Sequence, residues 1–299
     1  MTSIKPHRRA LFIVNPRARN GLKLADDVRK TLERGGLILL EDQPGKEETV
    51  SDVIIRRRSD CDLVVLGGGD GTLNSSAKGL VKTGLPLGIV PLGTANDFAK
   101  TVGIPSDPVK AAALIVSAKP RPMDLGEVNG QLFFNVASIG FSAELAAELS
   151  EKAKKRFGKL GYALVAARLL ARSRLFTAYL EHDGSTEKIR TLQVSVGNGK
   201  YYGGGMSVEE TATADDGQLD FYSLEVDHWW RLLTLLPSLR KGTQGKWDDV
   251  RAFATTELVV KTSRPRPVNT DGELTTWTPA HFKILESAIH VYAPPAVTR

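Results

Sequence analysis

The apolar positions in the first part of the chain fall into short runs that are separated by helix-compatible segments. Strands are predicted at 10–15, 36–41, 62–66 and 87–90, and helices at 21–34, 47–58, 73–82 and 107–118. Strands that alternate with helices are typical of a parallel sheet with helices on both faces. The pattern therefore predicts an α/β lobe over residues 1–120.

The pattern changes after the proline-containing segment 119–122, which we interpret as a hinge. Longer β-type runs follow at 132–138, 190–196, 218–224 and 257–261, and two helical stretches, 141–157 and 158–172, interrupt them. A chain of 299 residues also exceeds the size that one hydrophobic core usually serves. We therefore predict a second, mostly antiparallel domain from residue 121 onward.

The segment 62–74 (DLVVLGGGDGTLN) carries the clearest chemical signal. A short β-type run leads into a turn with glycines at 67, 68, 69 and 71, and a helix-compatible segment follows. Glycine tolerates positive φ and lets backbone N–H groups converge on an anion, and a helix N-terminus adds partial positive charge. The predicted ligand is a phosphate. The alternative is a tight glycine turn in which Asp70 only caps the helix.

Two common nucleotide motifs do not fit this turn. No Gly-Lys-Ser/Thr closes it, which excludes a Walker A loop. The dinucleotide spacing fits poorly, because it ends on Thr72 and no acidic residue follows at the usual distance. Asp70 would repel bound phosphates unless a cation or a proton transfer is involved, which argues against simple dinucleotide binding.

A second strand, glycine turn and helix start occupy 87–99 (LGIVPLGTANDFA). Thr94 is placed to cap this helix, and Asn96 and Asp97 are predicted in its first turn. The carboxyl ends of parallel strands meet at one edge of a sheet, where ligands bind, so we expect the two turns to be neighbours. Plain capping and dipole complementation by Asn96 and Asp97 is the alternative.

These segments resemble the catalytic domain of the diacylglycerol kinase family, whose superfamily includes sphingosine kinases and, more distantly, NAD kinases. The resemblance covers nearly the whole chain, is closest for soluble bacterial lipid kinases, and rests on 68–72 (GGDGT), 91–99 (PLGTANDFA), 135–141 (NVASIGF), 197–205 (GNGKYYGGG), 215–220 (DDGQLD) and 269–273 (NTDGE). It implies a nucleotide-binding α/β lobe (1–120, with the tail at about 290–299 returning to it), a β-rich lipid- and metal-binding lobe (121–289), and an active site in the cleft between them.

The resemblance also implies roles for individual residues. The ATP-binding positions are Gly68, Gly69, Asp70, Gly71, Thr72, Leu73 and Asn74, with Thr94 near them. Glu273 matches the general base that accepts the proton of the attacking hydroxyl, and Asp271 supports its turn or the metal network. The residues alone favour an ordinary Asp-Gly hairpin turn. Related enzymes often have a threonine after the second strand; Asp42 falls near that position, which leaves this contact open.

Magnesium is implied in two places. The matching turn of the resembling enzymes holds a structural magnesium, which carries over to the Asp216 side chain and the backbone oxygens of Thr213 and Gln218; a bare β-turn is the alternative. A catalytic Mg²⁺ is expected to arrive with ATP. Its candidate ligands or supports are Asp70, Asp97 and Asp124, with Asn96 nearby.

The amino-acid composition serves mainly to exclude certain structural features and locations. One cysteine, Cys61, excludes an internal disulfide, and no apolar run is long enough to cross a bilayer. The apolar stretch 10–14 is too short for a signal peptide, so a cytoplasmic location is expected. The net charge of +6 includes a basic cluster at Lys152, Lys154, Lys155, Arg156 and Lys159, which fits an anionic membrane at the inner face and an ordinary solvated helix face equally. No motif supports nucleic-acid binding.

The sequence thus predicts an ATP- and Mg²⁺-dependent lipid kinase that phosphorylates the free hydroxyl of a glycerolipid. An NAD kinase, which shares the GGDGT element, and a non-catalytic nucleotide- or lipid-binding regulator stay open as alternatives. The PLGTANDF element favours the lipid enzymes, and the intact acids Asp70, Asp97, Asp271 and Glu273 count against a regulator. Diacylglycerol, phosphatidylglycerol and other lipid alcohols are not distinguished, because no motif encodes the shape of a cleft.

Overall fold

The computed structural model of the protein describes residues 8–15, 21–148, 165, 168–169, 172–202, 206–207, 213–226, 234, 237–238 and 241–295. The chain forms two compact units. The first comprises Met1–Asp124 with Glu286–Arg299, and the second comprises Leu125–Leu285. The basic cluster at 152–159 and most of the stretch 158–172 lie outside the described residues.

The first unit is built from alternating strands and helices. Its strands are β1 (Arg8–Val14), β2 (Leu37–Glu41), β3 (Leu63–Gly68) and β4 (Leu87–Pro91), and its helices are α1 (Gly21–Arg34), α2 (Val50–Arg56), α3 (Asp70–Thr83), α4 (Asp97–Thr101) and α5 (Pro108–Ser117). The four strands pair in the order β2-β1-β3-β4, and every pairing is parallel. The predicted parallel α/β sheet is confirmed.

Burial explains why these segments form strands and helices. All six residues of β3 are buried, as expected for a strand covered on both faces, and such strands are continuously apolar instead of alternating. Phe12, Val65, Val28 and Ile115 belong to one buried cluster that joins the sheet to α1 and α5. The sheet therefore holds rigidly the turns that follow β3 and β4.

The second unit is mostly β structure. Its elements are β5 (Pro120–Val128, which begins in the first unit), β6 (Gln131–Phe133), β7 (Val136–Gly140), α6 (Phe141–Glu148), β8 (Phe176–His182), β9 (Ser185–Thr191), β10 (Gln193–Gly197), β11 (Tyr201–Tyr202), β12 (Met206–Ser207), β13 (Leu219–Leu224), a 3-10 turn (Gln244–Lys246), β14 (Val250–Thr255), β15 (Glu257–Thr262), β16 (Pro267–Thr270) and β17 (Glu273–Trp277). The last strand, β18 (Ala280–Tyr292), contributes to both units.

Antiparallel pairing dominates the second unit, as predicted. Six strands form a sheet in the order β14-β13-β10-β7-β16-β17, and all of its pairings are antiparallel. β15 pairs antiparallel with both β8 and β18, and β8 pairs with β9. The last part of β18 instead pairs parallel with β4, through Val291 and Leu87. Phe133, Phe221 and Phe282 lie in a shared buried cluster of the second unit.

Three predicted boundaries need correction. The helix expected at 73–82 begins at Asp70, so that Asp70, Gly71 and Thr72 form its first turn. The run predicted at 132–138 is broken at Phe134 and Asn135, because their backbone N–H groups are bound by the carboxylate of Asp271. The run predicted at 190–196 is two strands, and the chain passes from one sheet to the other between β9 and β10.

Candidate functional site

Gly67 and Gly68 at the end of β3 and the adjoining Gly69 allow close packing, and no positive φ requires a glycine there. None of Gly67, Gly68, Gly69 and Gly71, all of them in the described part of the chain, has a positive φ. A Cβ on Gly68 would lie 2.4 Å from the Thr72 hydroxyl oxygen. A side chain is therefore excluded at Gly68 because the strand end and the first helical turn touch, and not because the backbone enters a left-handed conformation.

The turns after β3 and β4 are in contact, as the parallel topology predicted. The backbone N–H of Leu92 donates to the carbonyl of Gly68 at 2.9 Å. A Cβ on Gly93 would lie 2.5 Å from the Cα of Gly69, and one on Gly69 would lie 3.0 Å from the Cα of Gly93. These two glycines let the backbones approach to a separation that any side chain would prevent.

The N-terminus of α3 is open to a ligand. Gly69 occupies the N-cap position, and no side chain caps the helix. Gly71, in the first turn, is exposed, and a Cβ placed there would meet nothing within 4 Å. The first N–H groups of a helix have no partner within the helix, and the helix dipole makes this end partly positive. The geometry is that of an anion site.

The neighbouring predicted positions differ in exposure. Thr72 is buried, and its hydroxyl accepts a hydrogen bond of 3.2 Å from the side-chain amide of Asn15. Leu73 is only 4% exposed and packs into the interior, so that its side chain is removed from any ligand at the helix end. Asn74 is partly exposed. The accessible part of the predicted loop is therefore its glycine backbone.

Asn96, and not Thr94, occupies the N-cap position of the second helix, although no side-chain hydrogen bond caps this helix. Thr94 is exposed and lies outside α4, whose N-cap is Asn96 with φ of 51°. The Asn96 side chain accepts from the N–H of Gly93 and donates to its carbonyl, both at 3.0 Å. The expected cap at Thr94 is wrong, because the amide of Asn96 closes the turn and asparagine tolerates the left-handed conformation.

Asp70 joins the two turns electrostatically. Its carboxylate accepts a hydrogen bond from the backbone N–H of Phe98 in α4, at 3.3 Å. Burial raises the pKa of Asp70, and the nearby charge of Asp97 raises it further, while the Phe98 hydrogen bond opposes both. Asp97 is itself buried, with 4% exposure. A carboxylate whose pKa is raised by burial and by a neighbouring carboxylate is a setting in which a cation is favoured.

Asp42 and Asp124 already have protein partners. The Asp42 carboxylate forms ion pairs with Arg56 at 3.1 Å and with Arg57 at 3.0 Å. The buried Asp124 carboxylate accepts from the backbone N–H of Ser287 at 2.7 Å, where β18 has a positive φ. Both carboxylates therefore hold the local structure, as does that of Asp97, which forms an ion pair of 3.6 Å with Lys100.

In the second unit, Asp271 and Gly272 form a two-residue hairpin turn. Both have positive φ, 49° and 100°, which is the signature of a type I′ turn. The Asp271 carboxylate accepts from the backbone N–H groups of Phe134, Asn135 and Val136 at 2.7, 3.0 and 3.1 Å. The ordinary hairpin that the residues alone favour is therefore present, and Asp271 anchors it to the start of β7.

Glu273 begins β17 directly after this turn and is exposed. Within the part of the chain that the structure describes, no hydrogen bond or ion pair engages its carboxylate. The turn that precedes it is fixed by Asp271 and by the N–H of Gly272, which donates to the side chain of Asn269 at 2.8 Å. Glu273 thus combines a rigid backbone with an unengaged carboxylate.

The turn at 213–218 brings the Asp216 carboxylate close to Thr213 and Gln218, through the Thr213 hydroxyl and the Gln218 N–H and not through the backbone oxygens predicted as magnesium ligands. The Asp216 carboxylate accepts from the Thr213 hydroxyl at 3.2 Å and from the backbone N–H of Gln218 at 3.1 Å. Each oxygen of the carboxylate has capacity for a further interaction. Oxygen donors on one exposed turn fit a partly hydrated Mg²⁺. No cluster of three or more acidic, histidine or cysteine side chains suited to a metal occurs among the described residues.

Asn15 lies beside the glycine turn at the end of β3, and the sequence analysis did not identify it. It directly follows β1, its backbone N–H donates to Gly67 at 2.8 Å, and its side chain contacts Thr72. Its position in the sequence could have indicated this, since a polar residue at the carboxyl end of a parallel strand lies at the ligand-binding edge of the sheet. Asn15 fixes the end of β1 against the glycine turn.

The chain matches known families along most of its length. Residues 9–128 match the diacylglycerol kinase catalytic domain, and residues 135–293 match the YegS C-terminal NAD kinase beta sandwich-like domain. A Pseudomonas syringae pv. syringae protein named "Probable lipid kinase YegS-like" is 39% identical over 236 residues, which are 77% of this chain and 75% of that protein. The Bacillus subtilis diacylglycerol kinase is 30% identical over 236 residues, 78% of each chain.

A solved structure agrees with these matches. A Bacillus anthracis strain Sterne protein assigned as a diacylglycerol kinase has a TM-score of 0.84 at 28% identity, over 100% of this chain and 99% of that chain. The family matches and the fold thus define the class as a kinase built from an α/β unit and an antiparallel β unit. The chain belongs to the diacylglycerol kinase catalytic-domain family and is a lipid kinase of that family. The family prediction is confirmed, and membership implies the use of ATP.

No helix among the described residues has the length and apolarity to cross a bilayer.

Proposed function

We propose that this kinase transfers the γ-phosphoryl group of ATP to the free hydroxyl of a glycerolipid. The observation that carries the proposal is the pair of touching turns after β3 and β4, where an uncapped helix N-terminus lies beside the partly buried carboxylate of Asp70 and the buried carboxylate of Asp97. An open helix end suits a phosphate, and neighbouring acids suit the cation that accompanies it. The lipid acceptor follows from family membership.

The phosphates of ATP bind at the first turn of α3. The backbone at Gly69, Asp70 and Gly71 is accessible and lacks a side-chain cap, and small residues let the phosphates approach closely. Thr94, which is exposed on the adjacent turn, is a second contact. Asp42, directly after β2, affects nucleotide binding indirectly, because its carboxylate forms ion pairs with Arg56 and Arg57.

Asp70 and Asp97 hold the Mg²⁺ that arrives with ATP. When bound, the metal offsets the negative charge of the phosphates and polarises the group in transfer. The raised pKa of Asp70 supports this role, since a cation relieves the cost of ionising a buried carboxylate beside a second one. Asn96 and Asp124 support the arrangement by fixing the backbone of the second turn and of β18.

Glu273 is the general base. As the hydroxyl oxygen of the lipid forms its bond to the γ-phosphorus, the bond from that phosphorus to the β,γ-bridging oxygen breaks, and ADP leaves. The hydroxyl proton passes to the Glu273 carboxylate. Asp271 is a positioning residue, because three backbone N–H groups occupy its oxygens and fix the turn that presents Glu273.

A second Mg²⁺ stabilises the turn at 213–218. The Asp216 side chain and the backbone oxygens of Thr213 and Gln218 are its proposed ligands, with waters completing the coordination. Its effect is structural, because the turn leads directly into β13 in the six-stranded sheet.

The proposal is tested by transfer of labelled γ-phosphate from ATP to a panel of lipid alcohols in mixed micelles with Mg²⁺. Diacylglycerol, phosphatidylglycerol and a sphingoid base form the panel, with NAD and a lipid-free sample beside them. Label on one lipid, lost without Mg²⁺, supports the proposal and identifies the substrate. Label on NAD alone contradicts it.

A further inference from the structure

A buried asparagine, Asn198, lies opposite the segment that anchors the turn before Glu273. It directly follows β10, it is only 1% exposed, and the residues across from it are those at the start of β7. A buried side-chain amide must find partners inside the protein, because burial without them is costly. Neither the proposed phosphate site nor the proposed metal turn includes this residue.

Asn198 binds the carbonyl ends of two successive peptide groups. Its side-chain amide donates to the carbonyl of Phe134 at 3.0 Å, and its backbone N–H donates to the carbonyl of Asn135 at 2.9 Å. Phe134 and Asn135 are themselves buried, so water does not compete for these bonds. Two donors of one residue thus fix the orientation of two neighbouring carbonyl groups.

Asp271 binds the opposite ends of the same two peptide groups. The N–H of Asn135 belongs to the peptide group whose carbonyl is that of Phe134, and it donates to the Asp271 carboxylate at 3.0 Å. The N–H of Val136 belongs to the next peptide group and donates to the same carboxylate oxygen at 3.1 Å. Because a peptide group is planar and rigid, fixing its carbonyl also fixes the direction of its N–H. Asn198 and Asp271 therefore hold these groups from both ends.

From this geometry we propose that Asn198 is a positioning residue for the general base Glu273. It directs the N–H groups of residues 135 and 136 at the Asp271 carboxylate, Asp271 forms the hairpin turn, and Glu273 directly follows that turn. The proposal rests on the proposed function, because it takes Glu273 as the base. It extends that function to a residue that acts only through backbone groups.

The hydrogen bonds on the two peptide groups reinforce each other. A donor at the carbonyl polarises a peptide group and strengthens the bond that its N–H forms, and the effect is larger in a buried site. Hydrogen bonds to a charged acceptor, here the Asp271 carboxylate, are about twice as strong as neutral ones. Loss of the Asn198 side chain therefore weakens the hold on Asp271 and leaves the turn chemically intact. A small displacement of Glu273 is then enough to slow proton transfer.

Thr191 provides a matched control near the other end of β10. It lies shortly before that strand, whereas Asn198 directly follows it, and it is also fully buried. Its hydroxyl lies 2.8 Å from the carbonyl oxygen of Gln193 and 3.0 Å from that of Leu224, so it also holds backbone carbonyls. Neither carbonyl belongs to residues 134–136. Thr191→Val should therefore lower stability and leave the base in place.

Turnover in two backgrounds tests the proposal. For the lipid that the wild type phosphorylates, Asn198→Ala should lower kcat by about tenfold, with the KM for ATP unchanged. In the Glu273→Gln enzyme the same substitution should cause no further loss, because no base is left to position. Thr191→Val should keep the wild-type kcat. An equal loss by Asn198→Ala in both backgrounds, or no loss in either, overturns the proposal.

Hydrogen exchange tests the contacts without turnover. The N–H groups of Asn135 and Val136 should exchange about tenfold faster in Asn198→Ala than in the wild type, because their hold on Asp271 is weaker. Thr191→Val should leave their exchange unchanged relative to other amides of the sheet. Asn198→Ser keeps a short donor, so it should give a smaller effect, and it preserves both tests if the alanine variant fails to fold. Unchanged exchange in Asn198→Ala overturns the proposal.

The two experiments separate the role of Asn198 from the assignment of the base. If Glu273→Gln turns over at the wild-type rate, the base is wrong, whereas faster exchange in Asn198→Ala still supports the hold of Asn198 on Asp271. If Glu273→Gln is inactive and Asn198→Ala keeps the wild-type kcat, the base stands and the positioning role is overturned.

Discussion

The carboxylate of Asp70 accepts a hydrogen bond from the backbone N–H of Phe98 at 3.3 Å, and this bond joins the first turns of α3 and α4. The bond stabilises the ionised form, but burial and the charge of Asp97 outweigh it, so the pKa of Asp70 is raised. The Asp70 side chain thus connects the two turns and also places a negative charge where burial and Asp97 disfavour it. The first prediction separates these two effects.

Asp70→Asn should raise the thermal stability of the protein at neutral pH and abolish most of its activity. Because the folded pKa of Asp70 lies above its ordinary value of 3.8, the folded state binds this proton more tightly, and the resulting stability is lost as the pH rises through the folded pKa. Asparagine keeps an acceptor for Phe98 without the charge. The gain in melting temperature should therefore shrink as the pH falls toward 4, while turnover falls by about 100-fold at neutral pH.

Asp52→Asn is the control with the opposite sign. Hydrogen bonds from the backbone and side chain of Thr49 lower the pKa of Asp52, which lies in the capping box of α2. Its contribution is present above the unfolded pKa and is lost as the pH falls through the folded value. Asp52→Asn should therefore reduce stability at neutral pH. A reduction at neutral pH for Asp70→Asn as well would contradict our reading of that site.

Gly93→Ala should disrupt the touching turns. Its Cβ would lie 2.5 Å from the Cα of Gly69 and 2.7 Å from the side-chain oxygen of Asn96. Overpacking against backbone costs about 1–3 kcal/mol, and the displaced turn should also weaken ATP binding. Chemical denaturation and nucleotide titration measure the two effects.

Gly71→Ala is the matched control for that substitution. Gly71 is helical, and its added Cβ would meet nothing within 4 Å, so stability should stay level or rise by about 0.5–1 kcal/mol. Equal destabilisation by the two alanines would mean that the close approach of Gly69 and Gly93 does not govern the site.

Much of the first unit could be predicted from the sequence, because its strands are apolar runs bounded by turn residues. The prediction failed at the ends of elements. The predicted start of α3 was too late because the glycines were interpreted as a loop, although Gly71 is helical and Gly68 lies in β3. The prediction that Thr94 caps α4 was also wrong. Asn96 forms its bonds to Gly93 in a left-handed conformation, which residue type alone does not reveal.

Local sequence patterns could not predict contacts between distant segments. The three N–H groups that bind Asp271 come from residues more than one hundred positions earlier in the chain, and they break the run that the sequence presents as one strand. The salt bridges of Asp42 with Arg56 and Arg57 are likewise tertiary. The resemblance to a family supplied the roles of these acids, and the structure supplies their partners.

Asp271→Ala should destabilise the second unit. Removal of the carboxylate leaves the N–H groups of Phe134, Asn135 and Val136 without their acceptor, at a cost of about 2–4 kcal/mol. Alanine is also strained at the φ of 49° that Asp271 adopts. Asp271→Asn, which tolerates this φ and keeps one acceptor, should lose less. Urea unfolding of both variants measures the difference, and equal losses would show that the hydrogen bonds are not responsible.

Added Mg²⁺ should raise the melting temperature of the wild type through the turn at 213–218. A ligand that binds only the folded state stabilises it in proportion to the logarithm of its concentration, and about 100-fold above the Kd the gain is about 2.7 kcal/mol. Asp216→Ala should abolish this response, whereas Asp215→Ala, in the same turn, should retain it. The measurement is made without ATP, so that the catalytic metal does not contribute. An unchanged response in Asp216→Ala would place the metal elsewhere.

The most direct test compares steady-state phosphoryl transfer to the preferred lipid by wild type, Glu273→Gln and Glu257→Gln. Glu257 is an exposed glutamate that also begins a strand of the second unit, so it controls for the loss of a surface charge. We predict that Glu273→Gln lowers kcat by about 10²–10⁴-fold with unchanged ATP affinity and melting temperature, while Glu257→Gln behaves as wild type. A Glu273→Gln enzyme that binds ATP normally and turns over at the wild-type rate would contradict the assignment of Glu273 as the base.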